Sequence, residues 1–60
     1  MSEVLFEYVR QGTSVKVTAI EPDTGIEAVI IVPANLSETQ MQAKALQKLR
    51  YIMQKKLMNR

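Results

Sequence analysis

The sequence predicts an α+β domain in which a three-stranded antiparallel β-meander is followed by one long C-terminal α-helix. Two patterns predict this order. Apolar and polar residues alternate over the first half of the chain, as in half-buried strands, whereas apolar residues recur every three or four positions over the last third, as in an amphipathic helix. We expect one domain over the 60 residues, with strands at about 3–10, 14–21 and 26–32 and a helix at about 37–58.

The first two strands are predicted from alternation on either side of a glycine. Each strand places its more apolar side chains on one side of the sheet, and these are Val4, Phe6, Tyr8, Val15, Val17 and Ala19. Gly12, which lies between the two segments, can adopt the positive φ that a tight hairpin turn requires. We therefore expect an antiparallel hairpin.

The third strand follows the strongest turn signal in the chain, residues 21–25 (EPDTG). Pro22 presets φ for the first turn position, and Gly25 suits the left-handed position before the next strand. Residues 28–32 (AVIIV) are all apolar and mostly β-branched, which is typical of a strand buried on both faces. Pro33 should end the strand, because proline has no N–H to donate to a neighbour.

The helix has two possible starting points. Ser37 and Gln40 fit a capping box, and Asn35 with Glu38 offers a competing register two residues earlier. No glycine or proline follows, and one side of the helix is apolar. Its apolar residues are Met41, Ala45, Leu46, Leu49, Ile52, Met53 and Leu57. A helix about 30 Å long is longer than short strands need, so we expect its last turns to overhang the sheet.

One helix can cover only one face of this sheet. If it covers the face of Phe6 and Val17, the other face still carries five apolar side chains, namely Leu5, Val9, Ile20, Val29 and Ile31. Polar residues dilute them, namely Glu3, Glu7, Lys16, Thr18 and Glu27. Monomers seldom expose a large apolar patch, and a chain this short has a small core. We therefore predict a homodimer with these five apolar residues at its interface, formed by pairing the third strands or by stacking the uncovered faces.

The residue types present exclude most catalytic sites. The chain has no Cys and no His, so disulfides, zinc-type sites, thiolate nucleophiles and imidazole bases are absent. The two glycines stand alone at turns and form no phosphate-binding loop. Glu21, Asp23 and Glu27 could offer carboxylates, but turn chemistry is the simpler interpretation. We predict no catalytic, cofactor-binding or metal-binding residues. An enzyme using tyrosine, lysine or carboxylate side chains at a dimer cleft is a third, weaker alternative.

Charge is distributed unevenly along the chain. Residues 1–36 contain five acidic and two basic residues, whereas residues 37–60 contain one acidic and six basic residues. The candidate basic surface on the predicted helix consists of Lys44, Lys48, Arg50, Tyr51, Lys55 and Lys56. It could bind nucleic-acid phosphates while Tyr51 stacks on a base, although a solvated helix face is the simpler interpretation. The preferred function is therefore a non-catalytic homodimeric protein-interaction module, and a nucleic-acid-binding dimer is the alternative.

One family resemblance is carried by segments 3–10 (EVLFEYVR), 14–20 (SVKVTAI) and 22–25 (PDTG), and by Gly12 between the first two. Through these residues the chain resembles a family of short bacterial proteins, mainly alphaproteobacterial, with no assigned function. The resemblance covers residues 3–58. It implies a compact stand-alone domain and carries no catalytic or binding motif. The chain shows no secretory signal, and its longest apolar run is far shorter than the ~20 residues that span a bilayer. We expect a cytoplasmic protein that does not bind membranes.

Overall fold

The structure, a computed structural model, describes residues 3–58, with side chains over residues 3–56. In chain order it contains β1 (Leu5–Gln11), β2 (Ser14–Glu21), β3 (Ile26–Pro33) and α1 (Glu38–Met58). The strands form one antiparallel sheet in the order β1-β2-β3, and α1 packs on one of its faces. The predicted α+β class and β-β-β-α order are confirmed. β1 begins later than the sequence pattern indicates.

The first hairpin has a two-residue turn. Gln11 pairs with Ser14, so Gly12 and Thr13 form the loop, and Gly12 has a φ of 62°. Glycine at the first loop position with positive φ is typical of a type II′ turn, whose twist matches that of the strands. The Arg10 Nε atom donates a hydrogen bond of 2.6 Å to the Gly12 carbonyl. The conformation predicted for Gly12 is confirmed.

A buried carboxylate organises the second hairpin. Glu21 is only 2% exposed, and its side-chain oxygens accept hydrogen bonds from the Thr24 hydroxyl at 2.7 Å, the Thr24 amide at 2.9 Å and the Asp23 amide at 3.1 Å. Gly25, at a φ of 76°, donates its amide to the Glu21 carbonyl. Since the carboxylate accepts three hydrogen bonds, it can be buried without an unsatisfied oxygen.

The hydrophobic core lies between α1 and the sheet. Its buried side chains are Val15, Val17, Ala19, Ala28, Val32, Met41, Ala45 and Leu49. Three of these residues are alanines, which let the helix backbone approach the sheet closely. Leu46, Ile52 and Met53 pack at the margin of the core. The predicted apolar side of the helix is thus confirmed for the described side chains, and the side chain of Leu57 lies outside them.

The helix does not lie centrally over the sheet. It packs mainly on β3 and β2, so the core side of β1 is poorly covered. Tyr8 was expected beneath the helix, but it is 37% exposed, and its hydroxyl accepts a hydrogen bond of 2.8 Å from the Gln42 side chain. At the C-terminal end, the side chains of residues 54–56 are exposed, where α1 extends beyond the sheet.

The helix begins with the capping box of Ser37 and Gln40. The Gln40 amide donates to the Ser37 hydroxyl at 3.1 Å, and the Ser37 amide donates to the Gln40 side chain at 3.0 Å. This reciprocal pair satisfies two backbone donors that an uncapped helix would leave without partners. The competing start at Asn35 and Glu38 is not used, since Glu38 is already the first helical residue.

Candidate functional site

The face of the sheet opposite α1 is called here the outer face. Its side chains are Leu5, Glu7, Val9, Gln11, Ser14, Lys16, Thr18, Ile20, Glu27, Val29, Ile31 and Pro33, which alternate with the core residues along each strand. All five apolar residues predicted at a subunit interface, Leu5, Val9, Ile20, Val29 and Ile31, lie on this face. The hairpin registers bring them together from three strands.

Four of these five apolar residues are exposed in the single chain, to different extents. Ile31 is 59% exposed, Leu5 and Val9 are each 52% exposed, and Val29 is 38% exposed. Ile20 is half-buried because it lies on the central strand, between Leu5 and Glu27 on the two neighbouring strands. Burial of residues 28–32 on both faces is therefore wrong for the single chain, because α1 covers only the side that contains Ala28 and Val32.

Charges divide the outer face into two halves. Glu7 and Glu27 lie in the half nearer the turn at residues 22–25, whereas Lys16 lies in the half nearer the Gly12 turn. In the register, Glu7 is opposite Thr18, and Lys16 is opposite both Val9 and Ile31. One half of the face is thus acidic and the other basic, with apolar side chains in both.

The free edge of β3 is contacted by the helix. The Lys48 Nζ atom donates a hydrogen bond of 2.7 Å to the backbone carbonyl of Val29. Carbonyls along an antiparallel strand point alternately to either side, so this carbonyl points away from β2. Pro33, at the end of the same strand, has no N–H to offer. Lysine and proline at an edge are features that hinder pairing with another chain.

The predicted basic surface is divided by the helix geometry. Lys44, Lys48, Tyr51 and Lys55 share one flank of α1, which we call the basic flank, on the side of the β3 edge. Tyr51 is 59% exposed, and the Lys55 Nζ atom lies 5.5 Å from the centre of its ring, within the range of a cation–π interaction. Arg50 and Lys56 are exposed too, but they are rotated from this flank by more than about 100° around the helix axis.

Over the described residues the structure contains no group of three acidic side chains that could hold a metal ion. Glu21, Asp23 and Glu27 do not converge, because the Glu21 carboxylate binds the backbone of its own turn and Glu27 points to the outer face. The Thr24 hydroxyl, and then the Asp23 amide, lower the pKa of Glu21 against the opposing effect of burial. An open groove of about 490 Å³ is lined by Arg10, Thr13, Pro33, Ala34 and Asn35, which provide no general base.

A family model of a domain of unknown function, DUF6898, matches residues 1–56. The chain belongs to this family. The resemblance to a family without assigned function is thereby confirmed. Comparison with curated proteins and with solved structures gave no match. Within residues 3–58, no helix combines the length and the apolar character that a membrane span requires.

The burial of Glu21 and the contact of Lys48 with β3 were not predicted from the sequence of this DUF6898 chain. The burial of Glu21 was missed because a carboxylate beside a turn is usually solvated, although a threonine three residues later signals a possible internal partner. The contact of Lys48 with the Val29 carbonyl has no sequence signal. It depends on where the helix lies over the sheet.

Proposed function

We propose that this chain is a non-catalytic protein-interaction module that forms a homodimer by stacking two outer faces. The observation that carries the proposal is the exposure of Leu5, Val9, Val29 and Ile31 on the face that the helix leaves uncovered. Burying the exposed half of such a side chain contributes about 1 kcal/mol. A chain of this length has a small core, so this contribution would be substantial.

Stacking of the faces is favoured over pairing of the third strands. Lys48 already binds the Val29 carbonyl on the free edge of β3, and a second strand would have to displace it. Stacking leaves that contact intact. Two antiparallel sheets pack with about 10 Å between them and with their strands about 30° apart, which would bury the apolar residues of both outer faces.

The charges of the outer face favour one orientation of the second copy. A two-fold axis in the interface and perpendicular to the strands places the acidic half of each face on the basic half of the other. Lys16 then approaches Glu7 of the second copy, and Val29 faces Ile31 of the second copy. An axis parallel to the strands would instead place the two Lys16 side chains together, and like charges facing each other across an interface are unfavourable.

Charge reversal tests the dimer and its orientation together. Glu7→Lys and Lys16→Glu should each weaken the homodimer about tenfold or more, because each creates like-charged contacts. An equimolar mixture of the two variants should form a heterodimer, since every cross-contact again joins opposite charges. Sedimentation velocity measures the fraction of dimer in each variant and in the mixture. Lys44→Glu, a reversal on α1, is the matched control and should leave the dimer unchanged.

The outcomes separate the two parts of the proposal. A folded wild-type chain that stays monomeric through the micromolar range refutes the homodimer. A wild-type dimer that tolerates both reversals refutes the orientation and leaves the dimer standing. The absence of Cys and His supports a non-catalytic role.

The protein partner of the proposed module would be identified by co-purification with the tagged chain from its own cells. Comparison with Ile31→Lys then shows whether the partner requires the outer face. The expected cytoplasmic location and bacterial origin stay predictions.

A further inference from the structure

The basic residues of α1 lack acidic partners on their own helix. Glu38, in the first turn, is the only acidic residue between positions 37 and 60. Acidic residues three or four positions from a lysine commonly stabilise exposed helices, and Lys48 and Lys55 have none at those positions. Lys44 has none either, because Glu38 is six positions away. The cations of the helix are therefore not neutralised along it.

The fold also separates these cations from the acidic residues of the sheet. Glu7 and Glu27 project from the outer face, on the side of the sheet opposite α1. Glu21 lies on the helix side, but it is buried, and its carboxylate is hydrogen-bonded within its own turn. The helix side of the molecule is thus positively charged, and a polyanion would be attracted to that side.

Apart from its contact with Lys55, Tyr51 has no role in the packing of the described residues. It is 59% exposed and absent from the core, whose helical residues Ala45 and Leu49 face the sheet. It lies between Lys48 and Lys55 along the basic flank. An exposed aromatic ring among cations can stack on a nucleotide base, whereas an acidic peptide would need the cations but no exposed ring.

We propose that Lys44, Lys48, Tyr51 and Lys55 form a binding site for single-stranded nucleic acid. Lys44 and Lys55 are separated by about 16 Å along the helix axis, the length of about five nucleotides at a stacked spacing of ~3.4 Å. The lysines bind phosphates and the Tyr51 ring stacks on a base. The Lys48 ammonium has three N–H donors, so it can bind a phosphate and keep its hydrogen bond to the Val29 carbonyl. The site goes beyond the proposed dimer and does not depend on it, because α1 and the outer face are on opposite sides of the sheet.

The test is fluorescence anisotropy with a labelled oligothymidine, measured over a series of salt concentrations. Three phosphate contacts should give a slope of log K against log salt of about −2, since each contact contributes about −0.7 for single strands. Lys44→Gln and Lys55→Gln should each remove one phosphate contact and make the slope less negative by about 0.7. Tyr51→Leu preserves the charge and should weaken binding about fivefold or more.

The matched control is the double variant Arg50→Gln/Lys56→Gln. It removes two charges from the same helix but away from the basic flank, so it should weaken binding less than Lys44→Gln/Lys55→Gln. Circular dichroism checks that every variant keeps its helix. An absence of binding at low salt overturns the proposal, as does an equal loss in the two double variants. Equal affinity for polyglutamate, with no effect of Tyr51→Leu, would identify an acidic protein as the ligand and overturn it too.

Discussion

Replacing Ile31 with lysine should dissociate the proposed dimer while leaving a folded chain. Ile31 is 59% exposed in the single chain, so less than half of its side chain is buried within one subunit. Since full burial of an isoleucine contributes about 1.5–3 kcal/mol, Ile31→Lys should cost the isolated subunit about 1 kcal/mol. The lysine stem can still cover part of the surface that the isoleucine contacts.

The same substitution should cost the dimer much more. The exposed part of Ile31 would be buried by the second copy, so each subunit loses about 1 kcal/mol or more of apolar burial and gains a charge that must be desolvated. Both subunits carry the change, and a total of about 3 kcal/mol corresponds to a dissociation constant roughly 100-fold higher. The loss at the interface therefore exceeds the loss within the subunit.

Sedimentation velocity and thermal unfolding at several protein concentrations separate these effects. The wild-type melting temperature should rise with concentration, because association stabilises the folded state, and that of Ile31→Lys should not. Tyr51→Lys is the matched control, since Tyr51 is equally exposed but lies on the helix. A stable dimer of Ile31→Lys would show that the interface lies elsewhere.

Three further predictions concern contacts within the chain. Hydrogen bonds that lower the pKa of Glu21 stabilise the fold fully above the ordinary glutamate pKa, and this stabilisation is lost as pH falls through the lowered pKa. Glu21→Gln should therefore reduce the urea midpoint of unfolding at neutral pH. The difference in midpoint between the variant and the wild type should become smaller in acid, and a difference that does not change with pH would contradict this reasoning. Lys48→Met removes the hydrogen bond to the Val29 carbonyl and should promote edge-to-edge aggregation, seen by light scattering, whereas Lys44→Met should not. Ser37→Ala should cost about 1 kcal/mol of unfolding free energy through loss of the helix cap, and Thr39→Ala, a change of similar size within the first turn, should cost less.

The sequence predicts which residues lie on the outer face, because only the strand alternation and the two turns determine this. Alternation with a period of two assigns each strand residue to one face, and the Gly12 turn and the turn at 22–25 set the registers that align Leu5 with Ile20 and Lys16 with Ile31. The composition of the face follows from local rules alone. No knowledge of how the helix packs is needed.

The position of the helix could not be obtained in the same way. The apolar side of α1 shows which residues face the sheet, but not which strands they cover. Ala19, Ala28 and Ala45 are buried between α1 and the sheet, and the helix packs mainly on β2 and β3. Because the helix lies toward β3, Lys48 reaches the Val29 carbonyl, whereas Tyr8 on β1 stays partly exposed. The Lys48 contact and the exposure of Tyr8 both depend on tertiary packing and leave no pattern in the sequence.

The two proposed surfaces, although on opposite sides of the sheet, are linked by the symmetry of the dimer. A two-fold axis in the interface and perpendicular to the strands stacks β3 over β3 of the second copy. Because each basic flank lies beside its own β3 edge, both flanks then face the same side of the dimer. A nucleic-acid strand long enough to reach both would bind with avidity, because its second contact is intramolecular. Ile31→Lys changes a side chain on the outer face and not on the basic flank, so it should weaken binding of a long strand and leave that of a five-nucleotide strand unchanged. Equal losses for both lengths would mean that Ile31→Lys disturbs the flank itself, and no loss for either would mean that the two flanks do not act together.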